Sequence, residues 1–232
     1  MLKLDDALEG AIKVTSATAR EDEVRAILSV PGVFIASGHF QYPVSESGKV
    51  GNHLTSLFLI EPIARNEQYV EWIAADICLW AQAEKLAFDL IFAPAQPAVK
   101  VLARRIAERL RLAEAYWEYT PGGWFGSRLV EGTIKEGDRV LVFNGVTQQG
   151  RCVGERLPAF VEAAGGKAVA AAVFAKGTAA GVSAAEKRFG RNFYAMVQVD
   201  ITVASASDCV VCRDSSHGAE ELTPWTRFRD SV

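Results

Sequence analysis

Thr147, Gln148, Gln149, Gly150, Arg151 and Cys152 stand directly after an aliphatic run at 140–142 and a polar pair, Asn144 and Gly145. An amphipathic stretch at 155–164 follows, closed by Gly165 and Gly166. The order reads as strand, polar turn at 144–150, helix. That geometry aims unpaired backbone N–H groups and the positive end of a helix dipole at one point, which suits an anion and above all a phosphate. Arg151 adds a guanidinium that can grip phosphate oxygens in a fork. No acidic residue lies between Phe143 and Cys152. A loop that handled a Mg-bound sugar diphosphate would call for carboxylates, because Mg²⁺ and ribose hydroxyls both seek them.

Other side chains with chemical potential are scattered. Lys49 sits in a polar glycine loop at 45–52 and is a further candidate phosphate contact, the alternative being a solvated lysine. Trp124 and Phe125 lie on a glycine-flanked loop at 120–127, either as a lid that stacks on a ring or as a contact between two copies of the chain. Cys209 and Cys212 form one Cys-x-x-Cys, with His217 five residues on. That makes three ligands where structural zinc takes four, so a partner chain or Asp208 would have to complete a site. The sequence reading therefore assigns no metal ligand and treats the two cysteines as free thiols in a C-terminal tail. His39 and His53 read as structural or solvated histidines. Neither a Ser-His-Asp order nor an HExxH pattern is present.

The elements that must position these residues follow from composition and periodicity. With 232 residues, half of them hydrophobic and 23% charged, the chain suits one α/β domain with elaborations. A net charge of -3 argues against a general nucleic-acid binder. The sequence lacks the apolar run of about 18 residues that a membrane span needs. Early acids in the first residues argue against a signal peptide, and four scattered cysteines argue against a disulfide framework, so a reduced, cytoplasmic protein is expected.

Helical spacing predicts helices within 4–30, over 66–87, 99–110, 155–164 and 179–189. Strands are expected at 33–35, 39–44, 57–60, 88–92, 113–119, 129–134, from 139, at 168–174 and at 194–203. Strands alternating with helices through the middle of the chain imply a mainly parallel central sheet flanked by helices. Ligands of such sheets sit at the carboxyl ends of the strands, so the loops after Phe92 and Phe143 are the expected site.

Four segments, in order, resemble the type I phosphoribosyltransferases, and most closely the orotate phosphoribosyltransferase family. GHFQYPVSESGK at 38–49 resembles the family's N-terminal segment. DLIFAPAQPAVKVLARRIAERL at 89–110 resembles its strand, diphosphate loop and helix. The stretch 138–150 resembles the strand and loop that bind 5-phosphoribosyl 1-diphosphate (PRPP), and FYAMVQVDI with DCVVC resembles the C-terminal strand and Cys-x-x-Cys tail of one bacterial and archaeal subgroup. The resemblance implies a core at 66–189 under a hood built from 1–65 and 190–232, a single domain, a homodimer, and a pyrimidine-forming transfer of orotate to PRPP with Mg²⁺ and release of diphosphate.

The same comparison shows where this chain departs. The family's PRPP strand ends in two acids that contact ribose; here those positions are Asn144 and Gly145. The diphosphate loop has glycines in the family and Ala95, Gln96, Pro97 and Ala98 here, and Pro97 removes one N–H donor. Of the basic residues near the flexible loop only Arg128 stands. The expectation is a divergent family member that binds a nucleotide or sugar phosphate, with ordinary orotate transfer weakened or lost. Two alternatives stay open beside it: an active phosphoribosyltransferase on orotate or another base, which would need Mg²⁺, and a non-catalytic structural dimer.

Overall fold

The computed structural model describes residues 12–35, 37–41, 52–120, 123–201, 203–213 and 223–224. Lys49, His217 and the helix expected before residue 12 lie outside these residues. In chain order the elements are β1 (Ile12–Val14), α1 (Glu21–Leu28), the short strands β2 (Phe34–Ile35), β3 (Phe40–Gln41), β4 (His53–Leu54) and β5 (Leu57–Phe58), the single turn α2 (Glu61–Ala64) and the long α3 (Glu67–Ala83). The α/β core continues with β6 (Leu90–Pro94), α4 (Pro97–Leu110), β7 (Ala113–Tyr119), β8 (Phe125–Glu131) and β9 (Arg139–Thr147). A π-helical turn (Cys152–Arg156) runs into α5 (Leu157–Ala163), followed by β10 (Lys167–Lys176), α6 (Ala180–Phe189), β11 (Phe193–Val199), β12 (Val203–Ala204), α7 (Val210–Arg213) and β13 (Thr223–Pro224).

The main sheet has seven strands in the order β1-β11-β10-β9-β6-β7-β8. Its five inner strands run parallel, and β1 and β8 close the two edges antiparallel. The expected mainly parallel α/β sheet is therefore present. The unbroken apolar run of β9 explains why it sits at the centre, since its successive side chains bury on opposite faces. Leu141 and Phe143 enter one apolar cluster with Ile73 and Ile77 of α3 and Leu102 and Ile106 of α4. Val140 and Val142 enter the other, with Val153, Leu157 and Val161 around α5. Both faces are thus covered by helices, as a parallel sheet requires.

A second sheet of four short strands, β12-β4-β3-β13, joins residues from both ends of the chain. The main sheet also draws on both segments assigned to the hood, since β1 and β11 are two of its strands.

Several boundaries differ from expectation for physical reasons. Ile12 lies in a strand rather than a helix, because β11 offers it an antiparallel partner at Val199. The expected polar turn at 144–150 is mostly strand. The neighbouring strand β10 supplies parallel partners as far as Thr147, pairing Val173 with Asn144 and Lys176 with Thr147. Only Gln148, Gln149 and Gly150 form the turn. The helix expected from Glu155 begins one turn earlier, where Gly150 at φ +75° swings the chain and its carbonyl accepts from Gly154 N at 2.8 Å. Strand β6 runs on to Pro94, and Pro97 and Ala98 already open α4, so the diphosphate-loop equivalent shrinks to Ala95 and Gln96. Phe125 begins a strand instead of tipping a loop.

Candidate functional site

The carboxyl ends of β6 and β9 open into a cleft of about 130 Å³, walled by the β5 to α2 segment and by the β7–β8 hairpin. Its apolar walls are Leu57, Phe58, Leu59, Ile60, Tyr119, Phe125 and Val146, and its polar lining is Glu61, Gln96, Asn144, Gln148 and Cys152. Glu61 is the only charged residue in that lining among the described residues. A second cleft of about 610 Å³ adjoins it through Glu61, Gln96 and Tyr119, and adds Arg65, Pro97, Ala98 and Thr120.

Each polar group in the first cleft has a traceable position. Asn144 Oδ1 accepts from Gly145 N at 2.9 Å, so its oxygen is turned onto its own strand. A Cβ on Gly145 would stand 2.9 Å from Ile60 Cγ1, so Ile60 fills the space that any side chain there would need. Gln96 Nε2 donates to Glu61 Oε1 at 2.6 Å, which links the start of α4 to α2. Gln148 is buried, and its Oε1 has no hydrogen-bond partner among the described residues. A buried carbonyl oxygen left without a donor costs about 1–3 kcal/mol, which makes Gln148 the group in this cleft most in need of a ligand donor.

The residues expected to cradle phosphate separate into two sets. Thr147 is buried at the end of β9, and its hydroxyl contacts Cys152 Sγ at 3.1 Å, so hydroxyl and thiol satisfy each other. A Cβ on Gly150 would stand 2.1 Å from the Gly181 backbone, and one on Gly181 would meet Gln149 O at the same distance. The turn is thus packed backbone to backbone against the start of α6. Arg151 points to solvent, 3.8 Å from Glu155, and lines neither cleft. Asn144, Gln148 and Cys152 do line the first cleft, and Gln96 lines both.

The remaining candidates are equally specific. Phe125 is buried as a wall, edge-on to Tyr119 and Phe160 with centroids 5.8 and 6.2 Å away. Trp124 and Arg128 line neither cleft; Trp124 bonds through its backbone to Thr120, and Arg128 pairs with Glu118 at 3.4 Å.

Sequence reasoning missed Glu61, Arg65, Tyr119 and Ile60. Arg65 is exposed on the wall of the larger cleft, with no ion pair among the described residues. Among the described residues no side chain caps α4, whose first turn borders the same cleft. Their signal in sequence was slight: EPIAR reads as an ordinary turn into a helix, and only the tertiary fold sets it against β9. Cys209 and Cys212, in contrast, do not stand alone in the tail. The fold places both within 3.5 Å of His39 Nε2.

No family model and no curated protein matches the chain. Solved structures do. The UMP synthase of Leishmania donovani superposes with a TM-score of 0.54 at 19% identity, covering 78% of this chain and 36% of that longer one. The orotate phosphoribosyltransferase of Aeropyrum pernix gives 0.54 at 20% identity, with 76% and 92% covered. The adenine phosphoribosyltransferase of Trypanosoma brucei, in complex with AMP, pyrophosphate and ribose-5-phosphate, gives 0.53 at 13% identity, with 95% and 99% covered. The chain has the type I phosphoribosyltransferase fold, as the four sequence segments implied.

Proposed function

We propose that this protein binds a nucleotide or sugar phosphate in the paired clefts, with ordinary PRPP-dependent transfer to orotate weakened or lost. The observation that carries the reading is the state of the β9 terminus. The two positions where the resemblance expects ribose-binding acids hold an asparagine folded onto its own backbone and a glycine whose side-chain space belongs to Ile60. Mg²⁺ needs several hard oxygen ligands in near-octahedral order. Among the described residues the cleft offers one carboxylate, Glu61, already engaged by Gln96. The residues present do not fit a Mg–PRPP complex.

They do fit a ligand with a flat ring and a single phosphate. Phe58, Tyr119 and Phe125 supply apolar walls, and Gln148 Oε1 supplies an acceptor for a ring N–H or a sugar hydroxyl. The phosphate is best served in the larger cleft, where Arg65 and the uncapped amides opening α4 provide positive potential without a metal. The sequence candidates Asn144 and Gln96 then border the ligand beside Gln148 and Phe125. Arg151 plays no part in this arrangement.

The test is a diphosphate-release assay with PRPP, orotate and Mg²⁺, run beside an orotate phosphoribosyltransferase. Loss of one charge-stabilising donor alone is worth roughly 10²–10³ in rate, so turnover at least that far below the comparison enzyme is expected. A rate within about tenfold of it would overturn the reading, and PRPP consumption with another base would replace it by an altered-substrate transferase.

A further inference from the structure

We propose that His39, His53, Cys209 and Cys212 form a structural Zn²⁺ site that fastens the C-terminal segment to the small N-terminal sheet. Their four ligand atoms all lie within 4.8 Å of one another. His39 Nε2 is 3.0 Å from His53 Nδ1 and 3.5 Å from each cysteine Sγ, and Cys212 Sγ is 3.3 Å from His53 Nδ1. Zinc bonds of about 2.0–2.1 Å to nitrogen and about 2.3 Å to sulfur, arranged tetrahedrally, put ligand atoms roughly 3.3–3.8 Å apart. The four separations of 3.0, 3.3, 3.5 and 3.5 Å are close to that spacing, and the two that involve Cys209 with His53 and with Cys212 stay within 4.8 Å. The imidazole rings meet edge-on, with centroids 4.8 Å apart and planes at 74°, so their nitrogens converge while their faces do not stack.

The fold builds this convergence from two distant parts of the chain. Strands β3 and β4 pair antiparallel, with Gln41 opposite His53, which sets His39 and His53 side by side. Strand β12 pairs with β4, placing Ala204 opposite His53. A tight turn follows, in which Cys209 N donates to Ser205 O at 2.9 Å and Arg213 N to Cys209 O at 3.1 Å. That turn aims both thiols of the Cys-x-x-Cys back at the histidines, Cys209 lying 170 positions after His39. Three of the four residues are buried and Cys212 is exposed.

Charge and valence fit the same assignment. Zn²⁺ with two thiolates and two neutral imidazoles is net neutral, the form best suited to a buried position. Binding displaces one proton from each thiol, two in all, and forms four metal–ligand bonds with no change of oxidation state. All four positions are taken by protein, leaving none for water, so the site is structural and not catalytic. It lies outside the two clefts, since none of its residues lines either one.

The test is metal analysis of the full chain, expressed without a metal-affinity tag and purified in reductant without chelator. About one zinc per chain is expected, in the ratio that one closed site dictates. Cys212→Ser, at the exposed ligand, should lower retained zinc to near zero after dialysis against a weak chelator. Should that variant fail to fold, Co²⁺ exchanged into the wild type reads the site directly: intense tetrahedral ligand-field bands and a thiolate charge-transfer band are expected. Removing the metal should also lower the melting temperature. Wild-type protein that folds with two freely titrating thiols, no retained zinc and no cobalt spectrum would overturn the proposal. So would a Cys209–Cys212 disulfide in protein purified under reductant, or zinc unchanged by Cys212→Ser.

Discussion

At the residue scale the decisive contact is Ile60 against Gly145. A methyl group added to Gly145 would enter the Ile60 side chain at 2.9 Å, so restoring an acid there does not restore a ribose contact. Gly145→Asp should lower stability by about 1–3 kcal/mol through overpacking, measured by denaturant unfolding, and should gain no PRPP turnover. A stable variant with new diphosphate release would contradict that account. Asp89 gives a separate prediction. It accepts from Arg139 N at 2.9 Å, from Nε at 3.1 Å and from Nη2 at 3.1 Å, and these hydrogen bonds hold its carboxyl at about 2, below its usual 3.8. A depressed carboxyl pKa contributes stability that is present above the unfolded value and lost as pH falls through the folded one. The melting temperatures of wild type and Asp89→Asn should therefore converge as pH falls from about 4 to about 2. A gap that persists undiminished at the acid end would show that this carboxylate is not the titrating group.

At the scale of elements, the contact between α3 and β11 depends on a buried polar pair. Tyr194 OH donates to Asp76 Oδ2, and Trp80 lies over the tyrosine ring at 5.3 Å between centroids. Asp76 Oδ1 has no partner among the described residues. Burial, reinforced by Asp76, pushes the Tyr194 hydroxyl well above its ordinary pKa, so it stays a donor at neutral pH. Tyr194→Phe removes that donor while keeping the ring, and should cost about 1–3 kcal/mol; an unchanged unfolding midpoint would contradict the pairing. Element identity was largely legible in sequence. The run at 140–142 is continuously apolar, as a strand buried on both faces requires, and 99–110 carries a helical pattern; both sit where expected. The ends of strands were less so. Asn144, Gly145 and Thr147 look like turn residues, yet β10 holds them in the ladder. Hydrogen bonding from a neighbouring strand overrides local preference and leaves no trace in the nearby sequence.

At the scale of the whole molecule, the sheet order brings together groups that no local pattern links. The strand–turn–helix around Gly150 was visible, and so was the loss of acids at Asn144 and Gly145. The distribution of positive charge was not: Arg151 looks outward, while Arg65 faces a cleft because α2 is set beside α4 and bonded to it through Glu61 and Gln96. The Cys-x-x-Cys was visible too, but the histidines beside it, His39 and His53, come from the other end of the chain, brought there by the pairing of β4 with β3 and β12. Among the described residues no helix is long and apolar enough to cross a membrane.

The central claim is that a type I phosphoribosyltransferase fold keeps a nucleotide cleft here without the means to use PRPP. Calorimetric titration of the purified protein with nucleoside monophosphates and with PRPP, each with and without Mg²⁺, tests it most directly. The account predicts monophosphate binding that is indifferent to Mg²⁺ and weakened at least tenfold by Arg65→Ala, a loss of about 1.4 kcal/mol. PRPP binding that requires Mg²⁺, followed by orotidylate formation when orotate is added, would contradict it.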